Sequence, residues 1–241
     1  MDNAQALPGA AVHLPQIRQT ERPTVADQVF DELQRRILRL ELPPRTRLSE
    51  AEVARQMGVS RQPVREAFKR LAKLGFLRIR PQSSTMVSLI SEQAVLRARF
   101  IRTALEAHTC RTACATLTPA GLGRLSDLIS RQKAAISAGD RDLFHALDDQ
   151  FHRQICVEAG AGYVWDLIHD SKSHMDRIRM LSLNTSSQKL AFDEHVALLA
   201  AISAGKPDAA AAEITKHLDR ILVLIEEVKA QDHRWFADID E

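Results

Sequence analysis

The stretch Ser49–Pro81, SEAEVARQMGVSRQPVREAFKRLAKLGFLRIRP, decides the fold. Ser49-Glu50-Ala51-Glu52 has the spacing of a capping box, which predicts a short helix running through Val53 to Met57. Gly58 ends it as the residue that tolerates left-handed backbone. Ser60 is placed to cap a second helix, in which Val64, Ala67, Phe68 and Leu71 recur at helical spacing up to Leu74. Gly75 closes that helix. Two short helices joined through Gly58-Val59-Ser60 have the spacing of a helix-turn-helix. Two β-prone runs follow, Phe76–Arg80 and Thr85–Leu89, around Pro81-Gln82-Ser83-Ser84, and read as a hairpin, hence a wing.

Upstream, Thr24 with Asp27 three residues later forms another capping-box pattern. Val25, Val29, Leu33, Ile37 and Leu40 give that helix an apolar stripe, and Pro43-Pro44 stops it. Residues 1–22 are polar and aperiodic and read as a tail. Downstream the pattern is all helix. Starts are predicted at Ser91, at Thr118 with Pro119, at Asp140, at Tyr163, at Ser187 and at Pro207, and the last two helices run to Ala204 and to about Asp232. The fourth of these helices runs unbroken from Tyr163 to about Leu183. Short connections imply antiparallel neighbours. The expected fold is mostly α: an N-terminal winged helix-turn-helix of three helices and a hairpin over 23–89, then an antiparallel six-helix bundle over 91–232, with a tail at 233–241.

The chain has 241 residues, 45% of them hydrophobic and 27% charged, and reads as a soluble globular protein. No apolar run is long enough to span a membrane, and the N-terminus lacks the pattern of a secretory signal. Three cysteines, Cys110, Cys114 and Cys156, suit a reducing cytoplasm better than a disulfide framework. The net charge of +2 conceals an asymmetry: residues 1–90 carry 15 Lys+Arg against 9 Asp+Glu, the remainder 18 against 22. A basic first third joined to an acidic remainder suggests an anion-binding module, with nucleic acid the leading anion.

A helix-turn-helix places the N-terminal part of its second helix in the major groove. Arg61 and Arg65, four apart on one face, suit bidentate reading of guanine, and Gln62 suits adenine. Ser60, Lys69 and Arg70 suit phosphates.

These residues resemble the winged helix of the GntR superfamily, whose pattern runs roughly L-x-E-x-x-L-A-x-x-(L/M)-G-V-S-R-x-P-V-R-E-A-(L/F). The helical remainder resembles the FCD (FadR C-terminal) effector domain, so the likeness covers about residues 24–232. It implies that Arg61 and Arg65 read bases, that Ser60 and Gln62 lie beside them, and that the chain is a homodimeric regulator on a palindromic operator in double-stranded DNA. Two positions depart from the family pattern. Arg45 stands where glycine usually follows Pro-Pro, and Ser84 stands where the wing tip usually has glycine.

Asp148 and His152 are one helical turn apart in LDDQFHRQI, and His195 and His217 lie on later helices beside apolar stripes. A bundle interior is where helices pool ligands, and three imidazoles with one carboxylate suit zinc first, then nickel, manganese or iron. Taken singly, each histidine is more often an ordinary interior or surface residue, and Asp149 rivals Asp148. The resemblance to FCD domains, many of which carry D-x-x-x-H and two later histidines, favours Asp148, His152, His195 and His217. It leaves His108, His145, His169 and His233 aside. It also implies a small carboxylate effector completing the coordination sphere, with Arg102, followed by Glu106, and Arg177 as its cationic partners. Two other functions compete with the regulator released by an acid: a sensor whose effector is the metal itself, and a metal-dependent hydrolase. No nucleotide-binding or hydrolase motif supports the latter.

Overall fold

The computed structural model describes residues 23–80 and 84–237. Helix α1 (Val25–Leu38) opens on a complete capping box between Thr24 and Asp27. Strand β1 (Arg47–Leu48) leads into α2 (Glu50–Met57), and α3 (Arg61–Lys73) follows the turn at Gly58, whose φ is 65°. Strands β2 (Leu77–Arg80) and β3 (Ser84–Val87) form the wing, and β1 joins them as an outer strand in the order β1-β3-β2. All pairings are antiparallel, with Arg47 and Arg78 opposite Met86 and Leu77 opposite Val87. One core lies here, built from Val29, Phe30, Leu33, Ile37, Val64, Phe68 and Leu71 with Leu77 and Val87 of the sheet.

The second half is helical: α4 (Glu92–Thr116), α5 (Pro119–Ala138), α6 (Arg141–Glu158), α7 (Tyr163–His169), α8 (Ser173–Ser182), α9 (Thr185–Ser203), α10 (Pro207–Asp219) and α11 (Ile221–Gln231). Its core runs from Ile90 to Phe236 and includes Phe144, Leu147, Phe151, Ile178, Leu198 and Ile214. Among the described residues, no helix is long and apolar enough to cross a membrane.

Several local expectations change. Ser49 and Ser60 sit at N-cap positions, but neither hydroxyl caps its helix. Glu52 instead turns to Arg55 and Gln56, so the second capping box does not close. The fifth bundle helix is capped by Asn184, and Ser187 is the reciprocating third residue rather than the start. Two helices expected to be continuous are broken. The first parts between α7 and α8, where the Ser171 hydroxyl and amide both turn back to the Ile168 carbonyl. The second parts at Arg220, without proline or glycine. The six expected bundle helices are therefore eight. Arg45 occupies left-handed backbone at φ 69°, the conformation for which glycine is suited, and Leu40 does the same at 58°. Ser84 lies in β3 opposite Arg80, and residues 81–83 lie outside the described residues.

The segment after α11 is not wholly a free tail. His233–Trp235 makes a 3-10 turn, and Phe236 is buried and bridges in parallel to Ile90. The two halves meet along α8. The Ser173 hydroxyl donates to the Leu74 carbonyl, the Arg177 Nη1 donates to the Ser88 carbonyl at 2.7 Å, and His174 Nδ1 accepts from the Ser91 amide at 3.2 Å. Gly75, at φ 81°, is needed at this junction: a Cβ there would stand 2.8 Å from His174 Nε2.

Burial, reinforced by Arg177 and Arg97, lowers the His174 pKa to about 4. The unfolded chain takes up this proton near pH ~6.5 and the folded chain only near 4. Its contribution to stability is thus intact above pH ~6.5 and is lost as pH falls toward 4. Between those limits the wild type is expected to lose about 2–3 kcal/mol that His174→Gln retains, since glutamine keeps the acceptor without titrating. Denaturant unfolding at stepped pH measures this, and parallel pH profiles for the two proteins would refute it.

Candidate metal centre and DNA-reading helix

Helix α3 presents Ser60, Arg61, Gln62, Arg65 and Lys69 to solvent while Val64, Ala67, Phe68 and Leu71 fill the core behind them. Arg65 is held across the turn by Glu50 of α2 at 3.0 Å. Arg70 is committed elsewhere. It pairs with Asp27 of α1 at 2.7 Å, and its guanidinium stacks over the Phe30 ring at 4.2 Å, so it ties α3 to α1. The exposed basic residues of α3 are thus Arg61 and Arg65 on its first two turns, with Lys69 and Lys73 further along, the last paired with Asp170.

In the bundle, α6 contributes Asp148 and His152, α9 contributes His195 and α10 contributes His217. All four are buried, and one donor atom from each lies within 4.8 Å of the others. Asp148 carboxylate oxygens lie 3.5 Å from His195 Nε2 and 3.8 Å from His152 Nε2. Each ring has an oxygen near its other nitrogen, hydrogen-bonded for His195 and His217 and a close approach outside hydrogen-bond geometry for His152. His152 Nδ1 is 2.6 Å from Glu106 Oε2, His195 Nδ1 is 2.8 Å from Gln132 Oε1, and His217 Nδ1 is 2.8 Å from Glu194 Oε2. Such outer partners fix ring orientation and tautomer, and leave each Nε2 as the inward donor. Asp148 Oδ1, His152 Nε2 and His195 Nε2 have no hydrogen-bond partner within the described structure. Buried polar atoms are otherwise almost always satisfied, so these inward atoms fit a bound cation.

The electrostatics agree. Burial opposes ionisation of Asp148, but the Arg179 guanidinium and then the neighbouring imidazoles hold its carboxyl well below the usual range. Burial, then His217, pushes His195 well below an ordinary histidine, and burial lowers His217 to about 4 against the pull of Glu194. Neutral imidazoles beside an ionised carboxylate are the protonation states that metal ligands require. Asp149 faces away from this cluster. It joins Asp176 on the Lys172 ammonium, at 2.7 and 2.6 Å, with His145 alongside.

A cavity of about 40 Å³ adjoins His217 and is walled by Arg102, Arg179, Arg220, Ser182 and Ser187. Arg102 is fully buried and paired with Glu106 at 2.5 Å, while its Nη1 meets only the Met175 sulfur at 3.9 Å. The structure brings Arg102 to the cavity and leaves Arg177 at the domain junction, where burial lowers its pKa to about 10. Arg179 and Arg220 are the basic residues that sequence reasoning missed. Arg179 is two positions beyond Arg177 and so projects from nearly the opposite side of α8. Arg220 stands three after His217 at the helix break, held by Glu194 at 2.8 Å.

Residues 25–87 match the gntR family of bacterial regulatory proteins, and residues 98–220 match the FCD domain. The chain belongs to the GntR family. It is 34% identical to the HTH-type transcriptional repressor RspR of Escherichia coli K12 over 89% of this chain and 94% of that one. It is 31% identical to a probable D-xylose utilization operon transcriptional repressor of Paenarthrobacter nicotinovorans, over 82% and 87%. Among solved structures, E. coli McbR/YncC superposes with a TM-score of 0.72 at 22% identity, covering 86% of this chain and 100% of that one, a likeness of fold. This GntR-family chain is a DNA-binding transcription regulator and not an enzyme, which disposes of the hydrolase reading.

The Lys172 ammonium compensates two carboxylates at once, so its removal leaves Asp176 without its ion-pair partner and Asp149 with Arg179 alone, at 3.7 Å. Lys172→Met is expected to cost about 3–5 kcal/mol in thermal or urea unfolding. Adding Asp149→Asn and Asp176→Asn to it is expected to recover much of that loss. A single variant as stable as wild type would show that the ion triad carries no such role.

Proposed function

We propose that this GntR-family regulator is a repressor released from its operator by a small carboxylate, which binds beside a divalent transition-metal ion in the helical domain. The observation that carries the reading is the buried set of Asp148, His152, His195 and His217, with His195 and His217 each held by a hydrogen-bonded partner and an arginine-walled cavity alongside. Zinc is the first candidate ion, ahead of nickel, manganese and iron, given three nitrogen donors and one oxygen. When bound, the ion supplies a Lewis-acid position open to a carboxylate oxygen. Arg102 and Arg179 add positive charge on the cavity wall, and Ser182 and Ser187 line it. A volume of about 40 Å³ suits an acid of a few heavy atoms. The cationic wall favours an organic anion over the metal itself as the signal.

On the DNA side, Arg61 and Arg65 read base edges from the start of α3, with Gln62 beside them and Ser60 and Lys69 on phosphates. The chain acts as a cytoplasmic homodimer, which sets two such helices on a palindrome. Phe100 of α4 and Tyr163 and Leu167 of α7 are exposed apolar residues on two adjacent helices and supply a surface for that pairing. An acid that binds the two states of the dimer unequally shifts the DNA-competent population.

Elemental analysis of the purified protein is expected to find about one transition-metal ion per chain, lost in His195→Ala. No metal in the wild type would refute the centre and leave DNA binding standing. Arg102→Met is expected to keep the metal and to raise the acid concentration needed for operator release by at least ~10-fold, an effect of about 1.4 kcal/mol. Release by chelator or metal titration alone, with no response to acids, would favour the metal-sensing reading. Arg65→Ala is expected to weaken operator binding by about 1–3 kcal/mol in a titration, and unchanged affinity would count against the groove assignment.

A further inference from the structure

A second and much larger cavity, about 940 Å³, lies between the wing sheet and the bundle. Arg45, Arg47, Arg78, Met86 and Ser88 wall it from the DNA-reading half, and the first turn of α4 with His174 of α8 walls it from the other. Arg47 and Arg78 both stand opposite Met86 in register, so the three share one face of the sheet. Arg45, Arg47 and Arg78 are exposed, and among the described residues no carboxylate pairs with any of them. Among the described residues of the wall the one carboxylate is Glu92, and it is taken by Lys229.

The bundle side of the wall offers donors as well. Ser91, Glu92 and Gln93 open a helix of 25 residues onto the cavity. The Ser91 hydroxyl accepts from the Ala94 amide at 3.2 Å, and the Ser91 carbonyl from the Val95 amide at 3.1 Å. The Glu92 and Gln93 amides precede these bonds and have no acceptor in their own helix. A helix start of this kind carries partial positive charge. His174 Nδ1 accepts from the Ser91 amide, which leaves the ring proton on Nε2. Behind Ser88 stands Arg177, buried, with its Nη1 on the Ser88 carbonyl and its Nε and Nη2 without a hydrogen-bond partner in the described structure. A buried guanidinium with no countercharge is costly, and a bound anion would offset that cost. Low-dielectric walls concentrate the field of such charges in the cleft between them.

We propose that this cavity is a second ligand site, separate from the metal centre, which takes a nucleotide-sized organic phosphate. Arg45, Arg47 and Arg78 fork onto the phosphate oxygens from the sheet, and the start of α4 and His174 Nε2 face them from the bundle. A diphosphate carries roughly three negative charges at neutral pH, a match for the three exposed guanidiniums. The organic body lies on Met86, Leu89 and Leu96. The volume stands near the upper end of ordinary ligand sites, about 300–1,000 Å³, and far exceeds what inorganic phosphate fills. Since its walls come from both halves, the ligand bridges them and biases how the winged helix sits on the bundle. DNA is the weaker candidate for these arginines. The cavity adjoins Gly75, at the far end of α3 from Ser60, about 20 Å along a 13-residue helix.

Titration calorimetry of ADP into the full chain tests this, with adenosine as the uncharged comparison. Wild type is expected to bind ADP at least ~10-fold more tightly than adenosine. Arg47→Gln/Arg78→Gln changes two exposed side chains outside the core and is expected to weaken ADP at least ~10-fold. Arg102→Met, in the other cavity, is expected to leave ADP affinity unchanged. The Glu92 and Gln93 amide resonances are expected to shift when ADP is added. The proposal is overturned by no ADP binding at millimolar concentration, by adenosine binding as tightly as ADP, or by affinity lost in Arg102→Met and kept in the sheet variant. A random-sequence duplex that displaces ADP from wild type would also overturn it, by assigning these arginines to the DNA backbone.

Discussion

Asp148 is a carboxylate with no solvent, and the second half of the protein is arranged around compensating it. Removing an ion from water costs several kcal/mol even after relaxation, so its neighbours must be cations, dipoles or ligands of a shared cation. Arg179 and three imidazoles answer that need directly. Each imidazole then needs its own acceptor, which brings Glu106, Gln132 and Glu194 into the interior from three further positions. Glu106 in turn holds Arg102, and Glu194 holds Arg220. One buried charge thus specifies side chains on α4, α5, α6, α8, α9 and α10.

Helix α8 belongs to both halves of the molecule. Arg179 reaches Asp148 from one side of it. Ser173, His174 and Arg177 reach Leu74, Ser91 and Ser88 from the other, at the end of α3 and along the linker. A ten-residue helix is stiff over its length, and close packing leaves it few intermediate positions. A displacement that moves Arg179 therefore also moves the contacts that seat the winged helix. The same helix buries Met175 and Ile178 in the bundle core, so its freedom is limited to motions the core allows.

The helix-turn-helix was legible because its signals are local. A glycine at φ 65° after α2, the apolar spacing of α3 and two β-prone runs are each read within a few residues. The clustering of the four buried side chains was legible for a similar reason on α6, where Asp148 and His152 are one turn apart, and the family likeness pointed to His195 and His217. What could not be read was tertiary. Nothing near Gln132 or Glu194 in sequence marks either as the partner of a histidine 63 or 23 residues away. Arg177 and Arg179 are equally basic and equally close to the apolar pattern, and only the rotation of α8 separates a cavity residue from a junction residue. The capping box at Ser49 matched its pattern and still did not form, since Glu52 found arginine and glutamine partners on its own helix.

Both unforeseen helix breaks fall at cations of this buried network. Lys172 begins α8 and binds Asp149 and Asp176, and Arg220 separates α10 from α11 and binds Glu194. Neither site has the proline or glycine that usually explains a break. A break forfeits a few backbone hydrogen bonds, each of modest net value at about 0.5–1.5 kcal/mol. A buried carboxylate left without its cation costs more, about 3–5 kcal/mol. Interrupting the helix is therefore the cheaper solution wherever a continuous one would carry the ammonium or guanidinium past its partner. It also explains why a sequence with unbroken helical periodicity from Tyr163 to Leu183 and from Pro207 to Asp232 folds as two pairs of shorter helices.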